Sequence, residues 1–497
     1  MKVNSIFFPF LSFLIPFVMR AVPEILMAPY LCGFDTLAHY VPTSLLWLNG
    51  GVSCSSYIAT APLFYSVVVS LVWLGGPLFT VLKIVPCVLH GFLGLSIFGY
   101  AKIGLGWSSK KSIVPALIGT LYFVALRISW DLLREELALV CFFAVLMLLA
   151  VSENRKFSLK RWVLLSLAMI AVVSTDQLVA ALMLVMVVLT MVYKTMLRKQ
   201  IGLTNLILFS SPSILLFLLS FYFSPSVPEY RLIFGFPSNS DGWLQLFGYS
   251  SYPAFLTNEA GFFIYCFLPI LPLVAISYRR IRNFQLRSWI VLIFIALFIP
   301  MVSPSNLRWA MMLIYPLAFY ATETLSKLKS INWKHFNHAP YRASVIYLVC
   351  VTMILSFGFT LMPPEKPFVY FDASHNSYIY QIPSSMLQNT LSKANCNDTV
   401  NSLQWFKDNV KADSLMLTHR AFYGWAISLL DKDRVVLYEY DNPANAAETV
   451  IQNRHSQIYL IWWVDSYGWY EQPNVPSSFT EVYHSGKIAI YQFVLNA

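Results

Sequence analysis

Long apolar runs dominate the chain. They lie near residues 5–22, 78–101, 113–128, 136–152, 160–174, 177–196, 203–222, 260–278, 287–303, 306–326 and 343–362. Most approach the roughly 20 apolar residues that a membrane-crossing helix needs. A further run, "APLFYSVVVSLVWLGG" at 61–76, is ambiguous. Beyond residue 362 the pattern changes. Residues 363–497 are polar and tyrosine-rich. Helix-like pieces such as "NSLQWFKDNV" and "NAAETVIQNR" alternate there with strand-like pieces such as "SLMLTH", "RVVLYEY", "QIYLIWWV" and "KIAIYQFV". The pattern predicts an α-helical polytopic membrane protein of about eleven spans over 1–362, followed by a small α/β domain over 363–497.

Composition agrees. Of 497 residues, 57% are hydrophobic and 12% charged, against roughly 25% charged in a soluble domain. A net charge of +10 in a soluble chain suggests nucleic acid. Here the bases fall in short loops between apolar runs and read as topology determinants, so no nucleic-acid partner is expected. Lys102, Lys110 and Lys111 lie in one loop, and Arg155, Lys156, Lys160 and Arg161 in another. Lys194, Arg198 and Lys199 follow, then Arg279, Arg280, Arg282 and Arg287, then Lys327, Lys329, Lys334 and Arg342. The intervening loops hold the acids: Asp35, Asp131, Glu135, Glu136, Asp176, Glu229, Asp241 and Glu259. The positive-inside rule places the basic loops in the cytoplasm. The parity closes if 61–76 is a juxtamembrane or partly inserted helix. The N-terminus is then cytoplasmic, 23–77 is the first outer loop, and residues 363–497 are extracytoplasmic. The first apolar run has no clear small-residue cleavage site and reads as a retained span of a multi-pass cell-membrane protein.

The seven cysteines show neither a CxxC pair nor metal-ligand spacing. Cys87, Cys141, Cys266 and Cys350 lie in apolar runs and read as packing residues. Cys32 and Cys54 fit either a disulfide in an exported loop or two free thiols. Asn397-Asp398-Thr399 matches an N-glycosylation acceptor triplet.

Candidate chemistry lies at the outer ends of the spans. In "LCGFDTLAHY", Asp35 and His39 are four apart and share a face if the stretch is helical. Pro42 is expected to perturb that helix. In "RISWDLLREELAL", Arg127, Asp131, Arg134, Glu135 and Glu136 crowd one span end. Charges there are paired or functional, and the cluster also fits an interfacial salt-bridge net. Asp176 in "VVSTDQLVA" reads as a site acid or an N-cap. Arg308 in "SPSNLRWAMMLIYP" reads as an anion ligand or a snorkelling anchor. Asp35 reads as a general base or an ordinary loop acid. Carboxylates beside arginines at a lipid surface suit transfer from a lipid-linked phosphate. Asp35, His39 and Asp131 are also candidate ligands for a divalent metal, Mg or Mn.

The chain resembles the GT-C superfamily, multispan glycosyltransferases that use polyprenyl-phosphate sugars. "GFDTLAHY" is similar to the family's catalytic-acid loop, with Asp35 at the acid position. "PLFY" at 62–65 is similar to its proline-plus-aromatic segment. "SWDLLREELAL" resembles the second acidic loop of archaeal members, and "LRWAMMLIYPLAFYA" the RW/RF segment before the last spans. "THRAFYGW" at 418–425 sits where oligosaccharyltransferase subunits carry WWDYG, with Tyr423, Gly424 and Trp425 echoing it. "WWVDSYGW" at 462–469 reads as strand plus loop.

The resemblance implies inverting transfer from a polyprenyl or dolichyl phosphate sugar to a protein, lipid or glycan acceptor at the extracytoplasmic face. Asp35 would be the base, and His39, Asp131, Arg134, Glu135, Asp176, Arg308, Tyr423 and Trp425 would be substrate-binding candidates. Two rivals are oligosaccharyltransferase-like transfer to asparagine from a lipid diphosphate, and a flippase for lipid-linked saccharides. Flippases more often place charges at the bilayer midplane, within repeated halves.

Overall fold

A computed structural model describes residues 3–50, 53–59, 62–154, 158–197, 203–223, 250–298, 306–326, 339–438, 442–454, 457–464 and 475–494. Glu229, Asp241, Arg155, Lys156, Arg198, Lys199, Lys327, Lys329, Lys334 and residues 465–469 of "WWVDSYGW" lie outside them, as does the side chain of Cys54.

The apolar runs fold into helices. α1 is Val3–Leu26, α2 Val41–Leu48, α3 Cys54–Ala59 and α4 Pro62–Trp73. α5 is Leu78–Gly99, α6 Ser109–Leu121, α7 Phe123–Asp131 and α8 Leu133–Asn154. α9 is Leu159–Val173, α10 Gln177–Met196 and α11 Leu203–Phe223. α12 is Tyr252–Phe267, α13 Leu271–Ser277, α14 Phe284–Phe298, α15 Asn306–Met311, α16 Ile314–Ser326 and α17 Ala339–Leu361. Among the described residues, four helical stretches are long and apolar enough to cross a membrane, or up to six if two bent pairs count as single spans. α4 has 12 residues, about 18 Å at 1.5 Å per residue, short of the roughly 30 Å hydrocarbon core.

Three expected spans are broken. The run at 113–128 bends by 61° between α6 and α7, and the run at 260–278 by 87° between α12 and α13. The run at 306–326 splits between α15 and α16. Nothing at Tyr122 announces a break, because the partners that stabilise it come from elsewhere. Tyr122 is extended, with φ −66° and ψ 140°. Its hydroxyl donates to Cys266 O at 2.6 Å, beside the second bend. The Ser356 hydroxyl of α17 donates to Leu121 O. Non-helical backbone at membrane depth persists where protein groups satisfy it in this way.

After α17 the chain reaches α18 (Lys393–Asn409), β1 (Leu415–Thr418), α19 (Arg420–Leu429), β2 (Val435–Leu437), α20 (Pro443–Arg454), β3 (Ile458–Trp463), β4 (Phe479–Ser485) and β5 (Ile488–Phe493). The sheet order is β2-β1-β3-β5-β4; β2, β1 and β3 run parallel, and β5 and β4 close it antiparallel. Every residue of β3 is buried, as its near-continuous apolar sequence requires of a central strand. The fold is thus an α-helical membrane protein with a small C-terminal α/β sheet.

One buried cluster joins the two parts. Leu37, Tyr40 and Phe64 of the first loop pack in the same core as Leu417, Phe422 and Ile461 of the sheet unit. Each buried side chain of this size contributes roughly 1.5–3 kcal/mol, so the first loop is fixed by the C-terminal unit. The acceptor-like triplet at 397–399 is built into α18: the Thr399 hydroxyl is buried and donates to Asn395 O, and Asp398 accepts from Lys487 N. It is not a free surface loop.

Candidate active site

"GFDTLAHY" forms a π-helical turn, Thr36–Tyr40, which runs straight into α2. Pro42 stands in the first turn of α2, and its fixed φ suits the helix it enters. The helical course therefore survives the proline. Gly33, at φ +93°, opens the turn. A Cβ there would lie 2.3 Å from Trp130 O and 2.6 Å from the Thr36 hydroxyl. Only glycine lets the two charged segments approach this closely.

Two further clasps set the loop. Gly33 N donates to Gln388 O at 3.1 Å, and Trp130 Nε1 donates to Met386 O and Gln388 O at 3.0 and 3.2 Å. On the other side, α19 lies against the turn: a Cβ at Gly424 would sit 1.9 Å from Leu37 O. Gly424→Ala therefore has to push the π-turn away. The expected outcome is a stability loss of about 1–3 kcal/mol together with reduced activity, measured by unfolding and by turnover of the same preparation.

The turn presents Asp35 with a side chain 19% exposed. Its Oδ1 lies 3.8 Å from His39 Nε2, and its Oδ2 3.8 Å from Arg308 Nη2. Arg308 Nη1 donates to Glu135 Oε1 at 3.2 Å. Glu135 is 2% exposed, so the arginine bridges a buried acid and an accessible one. Asp131 is buried and engaged by the guanidinium of Arg127 four residues earlier, whose Nε also donates to Gln381 O. Although 45% of the His39 side chain is exposed, packed protein lowers its pKa below the ordinary imidazole value. The Asp35 carboxylate partly opposes this, while Arg420, Arg134 and Arg308 add to it.

Arg134 is half-buried. Its electrostatic neighbours are the Tyr65 and Tyr40 phenols, Asp176 and Arg308. Among the described residues it has neither a hydrogen-bond acceptor nor an ion-pair partner. Asp176 caps α10 by accepting from Val179 N at 2.9 Å. Tyr423 lines a cavity of about 330 Å³ between α2 and α19, with Pro42, Thr43, Leu46, Asp431 and Lys432. Trp425 does not face it: the indole is buried, edge-on to Tyr30 at 5.6 Å.

The structure thus gathers Asp35, His39, Arg308, Glu135, Asp131 and Arg134 at one end of the helices, with Asp176 behind them and Tyr423 to the side. Among the described residues no three His, Cys, Asp or Glu side chains form a metal-ligand set. Asp35 and Asp131 answer arginines instead. Cys32 is a buried free thiol donating to Pro23 O.

Sequence reasoning missed two buried pairs beneath this site. Arg20 and Glu24 of α1 pair at 2.9 Å, and Arg20 Nε donates to Ser129 O at 2.9 Å. His90 of α5 meets Glu136 of α8 at 2.6 Å, both fully buried. The signal was available: a lone histidine, and an acid and a base four apart, inside or beside apolar runs.

No protein-family model and no curated protein matches the chain. Solved structures do. ArnT from Cupriavidus metallidurans in the apo state superposes with a TM-score of 0.58 at 14% identity, covering 99% of this chain and 98% of that one. The same protein bound to undecaprenyl phosphate gives a TM-score of 0.54 at 14% identity, covering 100% and 99%. At this identity the likeness is one of fold. The chain shares the fold of ArnT.

Proposed function

We propose that the protein is a membrane glycosyltransferase that moves a sugar from a polyprenyl or dolichyl phosphate donor to an acceptor hydroxyl, with inversion, on the extracytoplasmic face. One observation carries the reading. A partly accessible carboxylate, Asp35, meets Arg308, with Arg134, a cation without an ion-pair partner among the described residues, nearby. The fold supports it, since ArnT has this fold and its structure holds undecaprenyl phosphate. The separation of basic from acidic loops supports the face.

In this mechanism Asp35 takes the proton of the acceptor hydroxyl. The oxygen attacks the anomeric carbon, and the bond to the phosphate oxygen breaks with its electron pair. The donor phosphodiester carries one negative charge and the departing monoester two. Cations that face the phosphate therefore gain energy as the bond breaks, which is the differential stabilisation catalysis requires. Arg308 is already balanced by Asp35 and Glu135, so Arg134 supplies the uncompensated charge. Glu135 fixes Arg308, Asp131 backs the Asp35 turn, and Tyr423 lines the acceptor cavity. His39, neutral at neutral pH, helps orient Asp35.

The test is transfer itself. Purified protein in lipid is given radiolabelled polyprenyl-phosphate sugars with a membrane extract as acceptor, and label is expected to move to protein, lipid or glycan. Label crossing the bilayer without transfer would replace this reading with a transporter. Transfer only to Asn-x-Ser/Thr peptides from a lipid diphosphate would replace it with an oligosaccharyltransferase. Arg134→Gln is expected to lower kcat/KM for the donor on the order of 10- to 100-fold, the value of one charge-assisted hydrogen bond, with kcat falling because the interaction strengthens as the bond breaks. An unchanged kcat/KM removes Arg134 from the phosphate site.

A further inference from the structure

About 22 Å along α8 from Glu135, at 1.5 Å per residue, two adjoining cavities open near Ala150. The first, about 370 Å³, is lined by Trp107, Arg280, Arg282, Asn283 and Glu323. The second, about 470 Å³, is lined by the apolar side chains Ile103, Met147, Leu148 and Val151, with Arg161. Gly104 and Ala150 line both and form a low common wall.

Charge in the first cavity is unbalanced. Glu323 is paired with Lys111, whose ammonium also lies 4.0 Å from the centre of the Trp107 ring. Among the described residues Arg280 and Arg282 have no acidic partner. Counting Lys111, Arg280 and Arg282 against Glu323 leaves two positive charges. The amide of Asn283 has a defined direction. Its Oδ1 accepts from Leu286 N at 3.0 Å, while the one proton of the neighbouring Tyr100 hydroxyl goes to Gln285 Oε1 at 2.8 Å. The Asn283 NH₂, with no acceptor among the described residues, is left as a donor. Two guanidiniums and an amide N–H lining one concavity suit an anion with several oxygens.

We infer that this cavity binds a phosphate group, carried either by an anionic phospholipid whose chain lies along the adjoining apolar cavity or by a soluble phosphate ester. Basic pockets between membrane helices recognise lipid headgroups in this manner. The site is separate from the Asp35 cluster and does not depend on its assignment.

The test compares the intact protein with R280Q/R282Q, both exposed positions. Lys110→Gln, an exposed base not lining the cavity, is the control. Protein in phosphatidylcholine with added phosphatidylglycerol is analysed by native mass spectrometry for retained lipid and by thermal melting. Phosphatidylglycerol is expected to be retained about 25-fold over phosphatidylcholine, at roughly fivefold per basic residue. The double variant loses this preference and K110Q keeps it. A parallel series with inorganic phosphate and glycerol phosphate identifies the source. Melting raised by the soluble phosphates, and only with both arginines present, assigns a soluble ester. Melting raised by the lipid alone assigns a phospholipid. No response to any of these, a preference surviving in R280Q/R282Q, or an equal loss in K110Q would overturn the site.

Discussion

Replacing Asp35 by Asn is expected to lower kcat for sugar transfer by roughly 10²–10⁴-fold while leaving the fold in place, the usual value of a positioned general base. The substitution separates chemistry from structure well. Asn keeps the volume and still faces Arg308 with a carbonyl oxygen. The ion pairs it removes are 3.8 Å long and partly exposed, and such pairs are worth about 0–1 kcal/mol. A melting temperature near that of the parent, with transfer abolished, identifies the base. Full transfer by Asp35→Asn would reduce Asp35 to a partner of Arg308. Arg308 itself is a poorer test. Its removal strands Glu135, 2% exposed, and leaving a buried carboxylate without its cation costs several kcal/mol. Lost activity there would have two causes.

The sequence made the location of this cluster legible, but not its wiring. Asp35, Asp131, Arg134 and Glu135 stand out because charges at the ends of apolar runs are expensive, and alternating loop charge puts Arg308 at the same end. Which acid meets which base was not legible. Asp35 and Arg308 are separated by the intervening spans, and no local spacing encodes their contact. The cap at Asp176 was visible in "STDQ", because capping is local. The bend at Tyr122 was not, since its stabilising hydrogen bonds come from Ser356 and reach Cys266. Gly424 looked like one letter of a weak motif. Its role is to let α19 touch Leu37 O, which only the tertiary fold displays. Averaging hydropathy over about 20 residues also hides single ionisable groups. Arg20 and His90 disappeared into apolar runs for that reason, and Glu24 lies just past the end of the first run.

His90→Ala and Glu136→Ala should each destabilise the protein by about 3–5 kcal/mol, the cost of breaking a buried pair. The geometry dictates this. His90 Nε2 lies 2.9 Å from Thr120 O, and a carbonyl only accepts, so Nε2 carries a hydrogen. Nδ1 then faces Glu136 Oε1 at 2.6 Å, a distance that requires one proton between them. Imidazolium with carboxylate and imidazole with carboxylic acid both satisfy it. Glu136 Oε2 already has no hydrogen-bond partner among the described residues, so losing the histidine leaves Glu136 with none of them. Glu136→Gln keeps the contact without the charge. Its amide can donate to a neutral Nδ1, so a loss under about 1.5 kcal/mol is expected, well below that of Ala. The contact also clasps α5, α6 and α8 just below Glu135. His90→Leu with Glu136→Leu, which replaces both partners by apolar groups, is expected to restore most of the stability. If transfer stays low in that stable double variant, the pair is set to hold Glu135 and Arg308 in register. If transfer returns with stability, its role is confined to the fold.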